Sequence, residues 1–397
     1  MVRILVLSFY YSPDLSAGSF RTAALVKALL DKKSNDAQID VITTLPNRYK
    51  TFSAAAPEYE QSNGLNIYRI KLPQHQSGMQ DQSRAFLNYF RNASALASQH
   101  EYDLVYATSS RLMTAVLGAW IASRKKVRLY LDIRDIFLDT INDVLSRKIN
   151  FFFKPLFSFL ERWTINKADK VNLVSEGFRG YFECRYQNQK FSFFTNGIDS
   201  EFINIKNNYS IKKDTDAPVK VLYAGNMGEG QGLHAIIPEL ALIMQDRVQF
   251  ILIGDGGRKP ELQAALNKAG CKNVEIAQPV NRADLIKAYL DADVLFLHLN
   301  DYSAFRKVLP SKLFEYAALG KPIWAGVSGY AAGFVKNEID NAVVFSPCNA
   351  QEASHVFENL LLVDKQRTDF ISKFTRVNIM KLMANDVLSI MTKRAEL

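Results

Sequence analysis

The chain has 397 residues, of which 48% are hydrophobic and 22% charged, with a formal net charge of +9. Such a balance is globular rather than disordered, and the length exceeds what one core usually organises, so two domains are expected. No apolar run approaches the roughly 20 residues of a spanning helix, Met1-Val2-Arg3 leads straight into a strand with no cleavable leader, and Cys184, Cys271 and Cys348 have neither metal nor disulfide spacing, which fits a reducing cytoplasm.

In chain order, Val2–Phe9 is a continuous apolar strand and Arg21–Leu30 a helix. Strands follow at Ile39–Thr44 and Leu65–Ile70, a helix at Arg84–Ala97, and strands at Leu104–Ala107, Val127–Leu131, Val171–Val174 and Phe191–Phe194, with helices between most of them. Continuous apolar strands that alternate with helices predict a parallel, doubly wound sheet for residues 1–198. After Asn196-Gly197-Ile198-Asp199 the pattern stops, and residues 199–217 are polar and aperiodic, a linker. It restarts with strands Val219–Tyr223, Val248–Ile253, Val274–Ile276, Val294–Leu297, Pro322–Ala325 and Ala342–Phe345. Helices are expected across 232–244, 260–269, 282–291, 310–320 and from about 350 to 393. The class is α/β, with two Rossmann-like domains facing a ligand cleft.

The stretch Pro310-Ser311-Lys312-Leu313-Phe314-Glu315 is predicted to open a short helix that stops at Gly320. Lys312 and Glu315, three apart, share a face. A helix N-terminus suits a phosphate, and a carboxylate one turn on could accept both hydroxyls of a ribose. An ordinary solvated Lys/Glu pair explains the same spacing. Gly225-Asn226-Met227-Gly228-Glu229-Gly230-Gln231-Gly232 follows a strand and could leave backbone amides to cradle an anion, although it is not a G-x-G-x-x-G fingerprint. Gly254-Asp255-Gly256-Gly257 is a second such turn. Ser12 to Arg21, with Gly18 and Arg21, occupies the ligand-loop position of the first domain, or is an ordinary strand–helix loop.

His298 ends a strand on the ligand edge and could reach the cleft, or be a satisfied structural histidine. Asp291-Ala292-Asp293 and Asp214-Thr215-Asp216 match a metal-binding D-x-D pattern, but the first reads as caps and the second lies in the linker, so no metal is expected. The charge is uneven: residues 1–198 hold 26 Lys/Arg against 17 Asp/Glu, and residues 199–397 hold 23 against 23. Residues 146–170 interleave Phe151, Phe152, Phe153, Phe157, Phe159 and Trp163 with Arg147, Lys148, Lys154 and Arg162. That suggests a segment docking on anionic lipid. A buried interdomain helix is the other reading, and Pro155 argues against one long amphipathic helix. Nucleic-acid signatures are lacking.

The order of these features resembles the GT-B glycosyltransferases of sequence family 4 over essentially the whole chain. The wording Pro310-Ser311-Lys312-Leu313-Phe314-Glu315-Tyr316 and Gly225–Leu233 is similar to L-fucosamine (N-acetyl-L-fucosamine) transferases of bacterial O-antigen and capsule assembly. The resemblance implies an acceptor-binding domain at 1–198, with a C-terminal helix at 376–397 packing back on it, and a nucleotide-sugar-binding domain at 218–375. It implies that Glu315 takes the ribose hydroxyls, that Ser311, Lys312 and Leu313 lie near the diphosphate, and that Gly18 approaches it from across the cleft. Gln278 and Pro279 would meet the base. Three departures stand out: Lys307 replaces the first of two paired glutamates, Asn226 and Gln231 replace an Arg and a Lys, and Arg134-Asp135 replaces His-Asp. Arg306, Lys307 and Lys312 are then the candidate cations for the diphosphate.

The reading is a metal-independent glycosyltransferase, without a cofactor, peripheral on the cytoplasmic face of the inner membrane. It would move a sugar from a UDP-sugar donor to a lipid-diphosphate-linked acceptor. Asp135 or Asp132, beside Arg134, is the candidate for orienting or deprotonating the acceptor hydroxyl. A non-hydrolysing UDP-sugar epimerase and an inactive nucleotide-sugar-binding subunit are the alternatives.

Overall fold

Ile4, Leu5, Val6 and Leu7 are fully sealed from solvent, as are Leu104 to Ala107 and Leu129 to Leu131. Such runs lack the alternation of a half-exposed strand because helices cover both faces of a parallel sheet. The computed structural model describes residues 2–14, 16–33, 37–47, 55–73, 79–109, 112–136, 138, 147–203, 205 and 217–392, without the side chains of 79, 80, 82, 147–153 and 392. The chain divides into two compact units, Met1–Asn196 with Arg376–Leu397, and Gly197–Thr375.

The first unit has β1 (Val2–Leu7), β2 (Ala37–Thr44), β3 (Tyr59–Ser62), β4 (Leu65–Ile70), β5 (Leu104–Thr108), β6 (Arg128–Ile133), β7 (Lys170–Leu173) and β8 (Phe191–Ser192). They lie in the order β3-β4-β2-β1-β5-β6-β7-β8. All pairings are parallel except β3 with β4, an antiparallel edge. Sequence reading does not anticipate β3, whose residues Tyr59-Glu60-Gln61-Ser62 are all exposed. Gly64, at φ +72°, makes the turn into β4.

Helix Arg376–Thr392 belongs to this unit. Its Asp386 accepts from Tyr130 at 2.8 Å and Ser192 at 2.7 Å and pairs with Lys170. Helix Arg147–Lys167 runs through Pro155, contrary to the expected break. A proline in the interior removes one backbone bond without ending the helix. Leu156 and Phe159 on it are 50% and 63% exposed, flanked by exposed Lys154 and Arg162. The buried Glu161 accepts from Tyr181 and Tyr186 at 3.0 and 2.9 Å. Among the described residues no helix is long and apolar enough to cross a membrane.

The second unit has β9 (Val219–Asn226), β10 (Val248–Asp255), β11 (Val274–Ala277), β12 (Val294–His298), β13 (Ile323–Gly326) and β14 (Ala342–Phe345). Their order is β11-β10-β9-β12-β13-β14, all parallel. Tyr223, Phe250, Phe296 and Trp324 fill its core. Helix Lys259–Ala269 carries Pro260 in its first turn and ends on left-handed Gly270, while Asn281 caps helix Arg282–Asp291 by accepting from the Asp284 amide. The expected linker contributes one helical turn, Ser200–Ile203; residues 206–216, with Asp214 and Asp216, lie outside the described residues.

Candidate functional site

In the second unit β9 and β12 are neighbours from which the sheet is built outward in opposite directions, to β10 and β11 on one side and to β13 and β14 on the other. Open α/β sheets take ligands at the strand C-termini beside such a reversal. The glycine loop follows β9, and the segment leading to helix Lys312–Ala318 follows β12. Both border this point.

Gly225 has φ +148°, and a Cβ there would run into Cε and Nζ of Lys312. Lys312 therefore lies across the end of β9 only because that residue has no side chain. Its Nζ stands 5.9 Å from the Tyr223 ring centroid. Gly254, at φ +154°, pairs in register with Gly225, and a Cβ there would strike the Gly225 carbonyl. Asn226 donates to Gln231 Oε1 at 2.7 Å, and the Gly228 amide reaches the same oxygen at 3.3 Å. Asn226 and Gln231 thus brace the loop, and the cation set against it is Lys312.

Helix Lys312–Ala318 is shorter than the expected 310–320. The amides of Leu313 and Phe314 turn back to the carbonyls of Pro310 and Ser311, both at 3.2 Å. Leu313 is fully buried, and Ser311 is half-buried. Glu315 Oε1 accepts from Arg282 Nη1 at 3.1 Å and Oε2 from the Tyr289 hydroxyl at 3.4 Å, with the Glu315 side chain 13% exposed. Arg282 also pairs with Asp199 at 2.9 Å and Glu201 at 3.3 Å and lies over the Phe202 ring. Burial opposes its charge, yet Glu315, Glu201 and Asp199 push its pKa still higher. Sequence reading missed Arg282 and Tyr289. Their seven-residue spacing on helix Arg282–Asp291, one face two turns apart, is the signal that could have found them.

His298 is corrected. It is 1% exposed; its Nε2 accepts the Cys348 amide at 2.9 Å, so Nδ1 carries the proton and donates to the Gln231 carbonyl at 2.7 Å. One nitrogen holds the glycine loop and the other the Cys348 amide, so neither is left over for a ligand. Burial lowers its pKa from 6.5 to about 4, the Gln231 carbonyl working against this. The neutral ring therefore contributes stability that is complete above about pH 6.5 and drains away as pH falls toward 4, about 3 kcal/mol in the limit. Urea midpoints from pH 7 to 4.5 should fall more steeply for the native chain than for His298→Asn. Parallel curves would contradict this.

Arg306 is exposed and meets Asp301 at 3.3 Å, a surface pair worth little. Lys307 ends the turn Phe305–Lys307, half-buried, while Gln278 is exposed and Pro279 half-buried beyond β11. Asp293 accepts from the Lys220 amide at 2.8 Å at the start of β9, the edge away from the loops, and no trio of His, Cys, Asp or Glu among the described residues could hold a metal.

In the first unit Asp132 is corrected too. It is fully buried and takes Arg21 Nε at 2.8 Å, Arg21 Nη2 at 3.0 Å, Tyr106 at 3.0 Å and Asn172 at 2.7 Å. These four bonds occupy both of its oxygens, which leaves no lone pair for an acceptor hydroxyl. Arg21, read as part of a ligand loop, is equally buried and donates to the carbonyls of Thr195 and Phe194 at 2.6 and 2.7 Å. Gly18 is buried in the first turn of helix Ala17–Lys33, its carbonyl accepting from Thr22 at 2.9 Å. Arg134 and Asp135 follow β6, with Asp135 exposed. A cavity lined by Tyr102, Lys126, Arg128 and Asp169 lies at the opposite edge of this sheet.

Residues 18–197 match the glycosyl transferase 4-like domain, and residues 205–376 match the glycosyl transferases group 1 family. Over 100 residues the chain is 32% identical to the putative colanic acid biosynthesis glycosyl transferase WcaI of Escherichia coli K12. That stretch is 25% of this chain and 24% of WcaI, so about a quarter of the relative's length is spanned. Among solved structures, HepE of Anabaena in complex with UDP has a TM-score of 0.55 at 18% identity, covering 100% of this chain and 99% of that one. WaaG, a glycosyltransferase involved in lipopolysaccharide biosynthesis, has a TM-score of 0.64 at 12% identity, covering 99% and 98%. These likenesses show the fold, GT-B, as expected. Between them the two family matches span most of the chain, a glycosyl transferase 4-like domain followed by a glycosyl transferases group 1 domain.

Proposed function

We propose that the enzyme moves a sugar, N-acetyl-L-fucosamine, from its UDP donor to an acceptor sugar on a lipid diphosphate, in the assembly of a bacterial surface polysaccharide. One observation carries the donor half. The Glu315 carboxylate accepts one hydrogen bond on each oxygen, from Arg282 and from Tyr289. Each oxygen has a second lone pair, and two are what the vicinal hydroxyls of a ribose require. Lys312, one turn earlier and set against the glycine loop, supports a diphosphate bound at that loop. UDP as the nucleotide is supported by the UDP complex of HepE, and the polysaccharide setting by the likeness to WcaI of colanic acid biosynthesis.

In the reaction the bond from the sugar's anomeric carbon to the diphosphate breaks, the acceptor oxygen bonds to that carbon, and the acceptor's proton leaves to a base. Lys312 stabilises the departing charge electrostatically, without a metal. Asp135, exposed beyond β6, is the proton-handling candidate now that Asp132 is spent. The exposed Leu156 and Phe159 between Lys154 and Arg162 support peripheral contact with an anionic membrane.

The test is UDP release from UDP-N-acetyl-L-fucosamine, with and without a lipid-linked acceptor sugar in phosphatidylglycerol vesicles. Release that requires acceptor, with the enzyme sedimenting on the vesicles, is expected. Epimerised donor without acceptor would mark an epimerase, and binding without turnover an inactive subunit; either ends the proposal.

A further inference from the structure

Asp132 and Arg134 stand two residues apart at the end of β6 and attract each other, but the hydrogen bonds to Asp132 come from elsewhere. The Asp132 carboxylate is filled by Arg21, Tyr106 and Asn172. The Arg134 backbone amide donates to Ser109 at 3.0 Å, but its side-chain Nη1 is buried with no hydrogen-bond partner among the described residues. Thr108 pairs in register with Asp132, and its hydroxyl is likewise buried and without a partner among the described residues. Registered residues of parallel strands point to the same face, so Thr108 ends β5 on the face of Asp132, and the cationic Arg134 follows the end of the adjacent β6. Burial, with Arg21 nearby, holds the Arg134 guanidinium below its ordinary pKa against the pull of Asp132 and Asp135.

Folded chains rarely leave such donors unmet, since each costs about 1–3 kcal/mol. A planar guanidinium is the side chain best shaped to take two oxygens of one phosphate group. We propose that Arg134, with the Thr108 hydroxyl, forms an oxyanion site in the first unit that takes phosphate oxygens of a diphosphate-bearing substrate. The site rests on the proposed reaction only for which substrate supplies the diphosphate, the UDP-sugar or the lipid-linked acceptor.

Inorganic pyrophosphate titrated calorimetrically into the full chain reads the site without turnover. Arg134→Gln should bind it roughly 10- to 100-fold more weakly, the loss of one charge-assisted hydrogen bond. Arg134→Lys should keep part of the affinity, and Thr108→Val should cost less than Arg134→Gln. Circular dichroism confirms that each variant is folded. Pyrophosphate affinity unchanged within twofold in folded Arg134→Gln, or no binding to the native chain at 10 mM, would overturn the proposal. Steady-state arms then separate the sources: a raised KM for the UDP-sugar alone assigns the donor diphosphate, and one for the acceptor alone assigns the lipid diphosphate. A chain that loses pyrophosphate with Arg134→Gln yet transfers no sugar would keep this site and refute the reaction, so the two failures differ.

Discussion

Asp132→Ala is expected to destabilise the first unit by about 3–5 kcal/mol, the largest stability loss foreseen for any single change here. The cost comes from what is left behind. Arg21 would remain fully buried with two carbonyls and a Met383 sulfur contact but no counter-charge. The hydrogen bonds from Tyr106 and Asn172 would go at the same time. Burial alone would raise the Asp132 pKa, but Arg21, Arg134 and Asn172 outweigh it and the net shift is downward. The ionised form's stabilisation is thus present above the ordinary carboxylate pKa, near 3.9, and is lost only as pH falls below it. A urea melt at pH 7, followed by fluorescence and circular dichroism because two units need not unfold together, should show an early transition in the variant. A melt unchanged within 0.5 kcal/mol, with turnover abolished, would instead return Asp132 to the chemistry.

Glu315→Ala should weaken UDP binding by about 1.5–3 kcal/mol for each charged hydrogen bond lost to the ribose, roughly 100-fold or more for two. The change is clean because Arg282 keeps Asp199 at 2.9 Å and Glu201 at 3.3 Å. A cycle isolates the contact: the native chain should prefer UDP over 2′,3′-dideoxy-UDP, and Glu315→Ala should bind both alike. Discrimination that survives in the folded variant would remove Glu315 from the ribose.

The parallel strands were legible because burial on both faces writes uninterrupted apolar runs such as Ile4 to Leu7. β3 was not, since an exposed edge strand needs no apolar residue. Lys312 and Glu315 stood out because their relation is local, three residues on one helix. Partnerships across the chain left no such trace. Asp132 finds Arg21 111 residues away, and His298 finds Gln231 and Cys348 at separations of 67 and 50. Both residues end strands on the ligand edge, the position of functional groups, and only their partners reveal that they hold the fold. Arg282 is the converse: its helix face is visible in sequence, while Asp199, 83 residues before it, and Glu315, 33 after it, are not.

The group 1 domain should hold a uridine nucleotide at the reversal between β9 and β12. A crystal structure of the full chain with UDP tests it most directly. Both ribose hydroxyls are expected on the Glu315 carboxylate, with the diphosphate against Lys312 and the Gly225 loop. UDP bound elsewhere, or seated there with its ribose turned away from Glu315, would contradict it.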